Sequence, residues 1–404
     1  MKNIVLLGTA GVDITPAANV QTVGYSGLSQ GVLHRLQAQI TVWHSAEGLC
    51  CLAAIDHIGF MSGDAKLLRE DIARKLGTTR DKVMLCFSHT HSAPNISLEP
   101  EYFTFLREQV LKGVDQAQKT PAPVKAVWGI ANAAIGVNRR NPSGPLDRRL
   151  GILKIADAGT GKLKLLLLRV TAHANALHSP MISSDFIGVT RKLLEEKYGC
   201  MVMITQGASG NVNPKYSGSP EALDKMAYAI MEAIDPYVHD LEPDWIHRLS
   251  MVSRTESFFA NVPAMECARE ISEEAMLENG IDGSNWLEEV ARLNREGIKT
   301  QSSESEIQYF SLNDGCLCGV ADEIMCELAI AAVDICGDDL FFFGGYTNGC
   351  GGYLPGAAEY DRGGFEVLHS YLIFYPYHGR VMPLNRDTAD KLVEIAAGLW
   401  KEIK

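Results

Sequence analysis

Apolar runs of strand length alternate along this chain with longer stretches of helical period, and that alternation restricts it to an α/β architecture. The strand-like runs fall at 38–44, 49–55, 82–87, 124–130, 164–170 and 201–205. Between them, 102–118 and 185–198 carry apolar residues at spacings of three and four, and Gly199 stands where a helix C-cap belongs. A section rich in Glu and Ala, 220–297, reads as helical, with Ser284 the expected N-cap of a helix over 286–294. Strands return at 315–320 and 339–343, and a last helix is expected over 386–404. No period recurs and no low-complexity linker divides the chain. The expected fold is one large α/β domain over 1–404, a mixed β-sheet core flanked by helices, with 220–300 as a helical insertion or cap.

Composition narrows the partners. A content of 46% hydrophobic and 21% charged residues is that of an ordinary globular protein. The net charge of −12, with no basic footprint, argues against nucleic acid. No stretch is long enough to span a membrane, and the run Ile4-Val5-Leu6-Leu7 falls short of the about 7–15 apolar residues of a secretory signal. A cytoplasmic location is therefore expected. The ten cysteines are scattered without paired Cys-x-x-Cys motifs, which predicts buried, inert thiols rather than disulfides or a thiolate metal site.

The chemistry is concentrated in Ser88-His89-Thr90-His91-Ser92, directly after the apolar run Val83-Met84-Leu85-Cys86-Phe87. On an extended strand both imidazoles would share one face, and neutral imidazole is a preferred ligand of zinc and related metals. A hydrogen-bonded pair of loop histidines is the plainer alternative. Further ligands are sought first among the other histidines. His173 emerges just beyond the very apolar run Leu165-Leu166-Leu167-Leu168, which reads as a buried strand; His178 follows in a loop with Pro180. His57 closes an apolar segment and could line the same edge, whereas His34, His44, His239, His247, His369 and His378 are read as structural. Two loops of small residues, 206–214 and 344–353, each follow an apolar strand. They suit either plain turns or close approach of backbone to a ligand.

Six segments together resemble the neutral/alkaline non-lysosomal ceramidases. In order they are Asp13-Ile14-Thr15-Pro16, the 88–94 segment, Asn138-Arg139-Arg140, His173 ahead of Ile182-Ser183-Ser184-Asp185-Phe186, the 206–214 loop, and Tyr346-Thr347-Asn348-Gly349 with Gly352-Tyr353. The resemblance runs from about residue 9 to 366. It implies the catalytic domain of that family without its C-terminal immunoglobulin-like domain, and a zinc amidohydrolase with one Zn2+ per chain. The ligands it implies are His89, His173, Glu323 and Tyr353, with Asp322 and Glu327 as alternatives to Glu323. It leaves His91 to move a proton or bond an oxyanion and Arg139 to donate to substrate, with Gly207, Ser209 and Asn211 facing substrate or oxyanion. Nitrogen and oxygen donors suit zinc. A phenol with a free pKa near 10 must be ionised by the metal itself.

The chain also departs from the family pattern. Phe365 stands twelve residues after Tyr353, where ceramidases carry a second active-site tyrosine, and Tyr360 does not simply replace it. His-Ala-Asn-Ala stands where His-Pro-Thr or His-Cys-Thr is usual. No basic amphipathic anchor for a lipid surface is evident. Three readings result. The first is a zinc-dependent hydrolase of a linear amide, ceramide-like or another small-molecule N-acyl substrate. The others are a metal-dependent hydrolase of an ester or cyclic amide, and a non-catalytic binding protein with a degenerate site. A metallo-β-lactamase relative is disfavoured, because Ala93-Pro94 stand where its Asp and His would be.

Overall fold

The computed structural model describes residues 4–404, so the first three residues of the 1–404 span lie outside it. Its first half builds a nine-stranded mixed sheet. The strands are β1 (Leu6–Asp13), β2 (Gln37–Ser45), β3 (Gly48–Ile55), β4 (Val83–Phe87), β5 (Ala122–Asn132), β7 (Arg149–Asp157), β8 (Leu163–Val170) and β9 (Met201–Gln206), in the order β4-β3-β2-β1-β5-β7-β8-β9, with β11 (Asp244–Trp245) added beside β5. The short β6 (Gly136–Asn138) and β10 (Val212–Pro214) pair with each other. A second sheet has the order β12 (Leu249–Asn261), β13 (Thr300–Leu312), β14 (Gly315–Gly319), β16 (Phe341–Gly344). Finally β15 (Glu323–Ile324) and β17 (Tyr353–Leu354) form a two-stranded parallel pair.

Period-two burial explains how the sheets stack. Along β3 and β4, Leu52, Ala54, Met84 and Cys86 point to one face while Cys51, Ala53, Ile55, Val83, Leu85 and Phe87 point to the other, and both faces are buried. The first set meets Met251, Phe310, Leu317 and Phe342 of the second sheet. The opposite face is covered by α1 (Ser62–Leu76) and α2 (Pro100–Gln118). At the other end of the first sheet, Leu166 and Leu168 pack against α3 (Asp185–Tyr198) and α4 (Pro220–Asp240). Helices α7 (Cys326–Cys336) and α9 (Thr388–Ile403) cover the far face of the second sheet. The result is four layers, helix–sheet–sheet–helix. A satellite cluster joins α5 (Met265–Asn279), α6 (Ser284–Arg295) and α8 (Ser370–His378).

Most sequence-read elements lie within two residues of their observed bounds, and α3 does end at Gly199, whose φ of 63° is the left-handed cap conformation glycine adopts without strain. Two readings need correction. The 220–297 stretch is not helical throughout, because β12 runs through its middle and pairs over its whole length with β13. Ser284 is the first helical residue rather than the cap; Gly283 holds that position, and the Asp282 carboxylate accepts from the Ser284 N–H at 2.9 Å. Among the described residues, no helix is long and apolar enough to cross a membrane.

The carboxyl ends of β4, β8, β9 and β16 meet at one edge, the usual place for a ligand in an α/β sheet. Backbone bonds stitch the loops that follow: Gly207 N–H to Val170 O at 2.7 Å, Gly345 N–H to Gly207 O at 3.2 Å and Phe87 N–H to Tyr346 O at 3.0 Å. The buried Arg169 donates to Asp147 at 2.8 Å and to Phe343 O at 2.9 Å, tying the two sheets together beneath that edge.

Candidate metal centre

His89 and His91 are not on the strand that the sequence suggests. β4 stops at Phe87, and His89 adopts a left-handed φ of 60°, which breaks the alternation of an extended chain. Tertiary contacts aim the pair instead. The His89 N–H donates to His57 O at 2.9 Å and the His91 N–H to Ala174 O at 3.3 Å. The two rings stand at 85° with centroids 5.1 Å apart, and His173, three residues beyond β8, places its ring 4.5 Å from that of His89 and 5.0 Å from that of His91. One ring nitrogen of each of the three lies within 4.8 Å of the other two.

Backbone carbonyls settle which nitrogen faces the centre. His89 Nδ1 donates to Ile58 O at 2.6 Å and His173 Nδ1 to Ser209 O at 3.1 Å, so both rings turn an Nε2 lone pair inward. His91 has no such backbone anchor. Glu323 joins from β15: its Oε2 is 3.1 Å from His89 Nε2 and 3.8 Å from His173 Nε2. Parallel pairing in register sets Tyr353 of β17 beside Glu323. The alternatives to Glu323 are occupied elsewhere. Glu327 accepts from Asn211 at 2.9 Å, and Asp322 lies 3.8 Å from Arg380.

The electrostatics suit a cation. Nε2 of His91, Nε2 of His173 and Oε2 of Glu323 are all buried without a hydrogen-bond partner, each an unmet cost of about 1–3 kcal/mol unless something binds them. Burial, followed by the neighbouring His89, pushes the His91 imidazole down to about 3, and burial likewise holds His173 well below its usual range, so both rings are neutral and able to ligate. Burial alone would raise the Glu323 carboxyl, but its polar and charged neighbours, His89 first and Arg139 among them, prevail and hold it below its ordinary value. Burial and then the Glu323 charge hold the Tyr353 phenol above its ordinary value, with Arg139 acting the other way. The three imidazoles, with the Glu323 carboxylate beside two of them, could hold a metal ion, nitrogen and oxygen donors being the kind that divalent transition ions accept.

Other sequence-assigned residues are placed differently. Arg139 does not line the cavity; it donates to Tyr353 Oη at 3.1 Å, to Gly210 O at 2.6 Å and to Asn213 at 3.2 Å, and its Nε is 2.7 Å from Glu366. It braces the Tyr353 phenol from behind. Arg140 beside it is paired with Glu359 and Glu366. Gly207, Ser209 and Asn211 lie behind the ligands and not in the cavity. A Cβ on Gly207 would sit 2.3 Å from the Arg169 guanidinium, Ser209 anchors His173, and Asn211 accepts from the Cys326 N–H at 2.9 Å. That loop packs behind the histidines and helps to hold them. Tyr346 also packs against the centre. It is fully buried at φ 57°, with its ring 4.4 Å from His89 and its hydroxyl 3.0 Å from Ser209 Oγ.

A cavity of about 350 Å3 opens over His89, His91, Glu323 and Tyr353. Its walls include Val23, Phe60, Met61, Ile96, Phe365 and Phe374. Phe365 packs edge-on against Tyr353 with centroids 6.2 Å apart, an apolar wall where a hydroxyl was expected in the family pattern. Several walls come from the loop before α1 and from α8, segments with no chemical motif to mark them in the sequence. His178 is exposed and stays outside.

His57 lines the cavity but both ring nitrogens are held by backbone, Nδ1 lying 2.9 Å from Gly59 O and 3.2 Å from the Gly59 N and Nε2 3.0 Å from Pro94 O. Burial pushes its pKa down to about 4. The folded value lies below the unfolded one of about 6.5, so this stabilisation is complete above that pH and is lost as pH falls through 4. Between pH 7 and pH 5 the group should remove about 2 kcal/mol of stability. Urea unfolding of wild type and His57→Gln across that range checks it: the variant should show a correspondingly shallower fall, and parallel curves would contradict the assignment.

By sequence, no protein-family model and no curated protein matches the chain. By structure it is similar to the neutral ceramidase from Pseudomonas aeruginosa, with a TM-score of 0.74 at 18% identity over 100% of this chain and 75% of that one. A ceramidase complexed with C2 superposes with a TM-score of 0.75 at 16% identity, over 99% of this chain and 76% of the other. The chain has a ceramidase-like α/β fold.

Proposed function

From this fold and this centre, we propose that the protein is a zinc-dependent hydrolase of a linear amide bond in a ceramide-like or other N-acyl substrate. The observation that carries the reading is the convergence of His89, His173 and Glu323, with His173 Nε2 and Glu323 Oε2 buried and unpartnered, beneath an apolar cavity lined by His89 and Glu323. Zinc held by these three and Tyr353 would supply the Lewis acidity that activates water near neutral pH.

The chain's own residues do the rest. The apolar walls take an acyl chain and keep bulk water from the bond to be broken. Near the lower end of the about 300–1,000 Å3 usual for ligand pockets, the cavity favours one chain over two. His91, neutral at pH 7 and free of a backbone anchor, accepts a proton from the attacking water at one ring nitrogen. A site that disfavours its charged form then makes it a ready donor to the leaving amine. Arg139 and Glu366 hold the Tyr353 phenol in place.

A panel of N-acyl amines differing in chain length, assayed for free amine with zinc-loaded protein, tests the reading. Single-chain amides should be cleaved, and chelation should stop the release. Absence of amine from every substrate, with an ester or cyclic amide turned over instead, would replace it.

A further inference from the structure

A second group of potential ligands lies on the satellite cluster, away from the His89 centre. Glu274 and Glu278 are four residues apart on α5 and so share one helical face. They meet His369, the last residue of a single π-helical turn, Phe365–His369. One ring nitrogen of His369 and one oxygen from each glutamate lie within 4.8 Å of one another.

The histidine is what points to a ligand. Its side chain is fully buried, yet Nε2 has no hydrogen-bond partner, although Glu274 Oε1 lies 3.5 Å away. Nδ1 is 2.6 Å from Asn279 Oδ1, and donation to that oxygen leaves the lone pair on Nε2, facing Glu274. Glu278 Oε2 lies 4.0 Å from the Nδ1 side of the ring, and both carboxylates are exposed and free to reorient towards the Nε2 lone pair, which makes a metal-binding arrangement.

We propose that Glu274, Glu278 and His369 form a second cation site for a first-row divalent transition ion of the Zn2+ class. The imidazole donor selects such ions over Ca2+ and Mg2+, which prefer oxygen alone. The site has a structural consequence. The same π-helical turn carries Phe365 into the cavity wall and Glu366 onto Arg139 and Arg140, at 2.7 and 2.9 Å. A cation joining His369 to α5 clamps the segment that supports Tyr353 and shapes the substrate cavity. π-Helical turns are frequent at functional sites.

The test counts metal rather than turnover. Protein stripped by chelation is dialysed against Zn2+, and separately against Co2+, and bound metal is measured per chain. Wild type should take up about two equivalents, His89→Ala should keep the α5 site, and the Glu274→Gln/Glu278→Gln double variant should keep only the other. Both glutamates are exposed, so the double variant should fold, which circular dichroism checks; His369→Gln provides a second route to the same loss. A double variant that binds as much Zn2+ and Co2+ as wild type overturns the proposal and leaves the cluster a set of ordinary polar contacts around a buried imidazole. Because the count does not depend on hydrolysis, failure of the amidase reading would leave this result standing.

Discussion

Replacing His89 or His173 with alanine should remove the zinc of the central site and with it all measurable hydrolysis. Each supplies a ring whose Nδ1 is tied to a backbone carbonyl, at 2.6 Å for His89 and 3.1 Å for His173, so the Nε2 donors are set before any metal arrives. His57 is held by backbone at both nitrogens, and Glu327 and Asp322 are held elsewhere, so none of these three can take the lost ligand's place. The loss should exceed the about 10²–10⁴-fold typical of removing a general acid or base, because water activation itself is lost. Metal content and amine release, measured on the same preparations, check it. Full activity after exhaustive chelation would end the metal reading altogether.

His91→Ala should behave differently, keeping the central zinc while lowering kcat by about 10²–10⁴-fold. The ring is as close to the centre as the other two, but no carbonyl fixes its tautomer, as expected for a group that must gain and lose a proton. Its neutral state at pH 7 follows from burial first and the adjacent His89 second. Zinc counting separates this from the competing arrangement, in which all three imidazoles ligate. Loss of zinc from His91→Ala would make His91 a ligand and leave proton transfer to another group.

Much of the architecture was legible because burial on both faces of a strand leaves unbroken apolar runs, as at Leu165-Leu166-Leu167-Leu168, and α3 announces itself by its spacing and by Gly199. The β12–β13 hairpin was not. Thr300 to Glu306 is mostly Ser, Glu and Gln, since that end of β13 is largely solvated and carries no alternating apolar signal. The buried strands near 315–320 and 339–343 were legible as apolar runs, but without β12 and β13 nothing joined them into a second sheet stacked on the first.

At the site, residue types were readable but roles were not. Arg139 beside Asn138 gives no sign that Glu366, far along the chain, would claim its Nε, or that its other nitrogens would be used on Tyr353, Gly210 and Asn213. Gly207 reads as room for a ligand, whereas the space belongs to Arg169. His369 reads as structural because its glutamate partners lie on α5, some ninety positions earlier.

Local order along the chain determined which segments extend, which coil, and that two imidazoles would leave the end of one strand, because those follow from spacing and from steric preference within a few residues. Only the folded chain decided where those imidazoles point. The left-handed turn at His89, the carbonyls of Ile58 and Ser209 that select a ring nitrogen, and the in-register pairing of Glu323 with Tyr353 all come from segments remote in sequence. Ligand geometry is a long-range property, fixed when sheet edges and loops pack against one another.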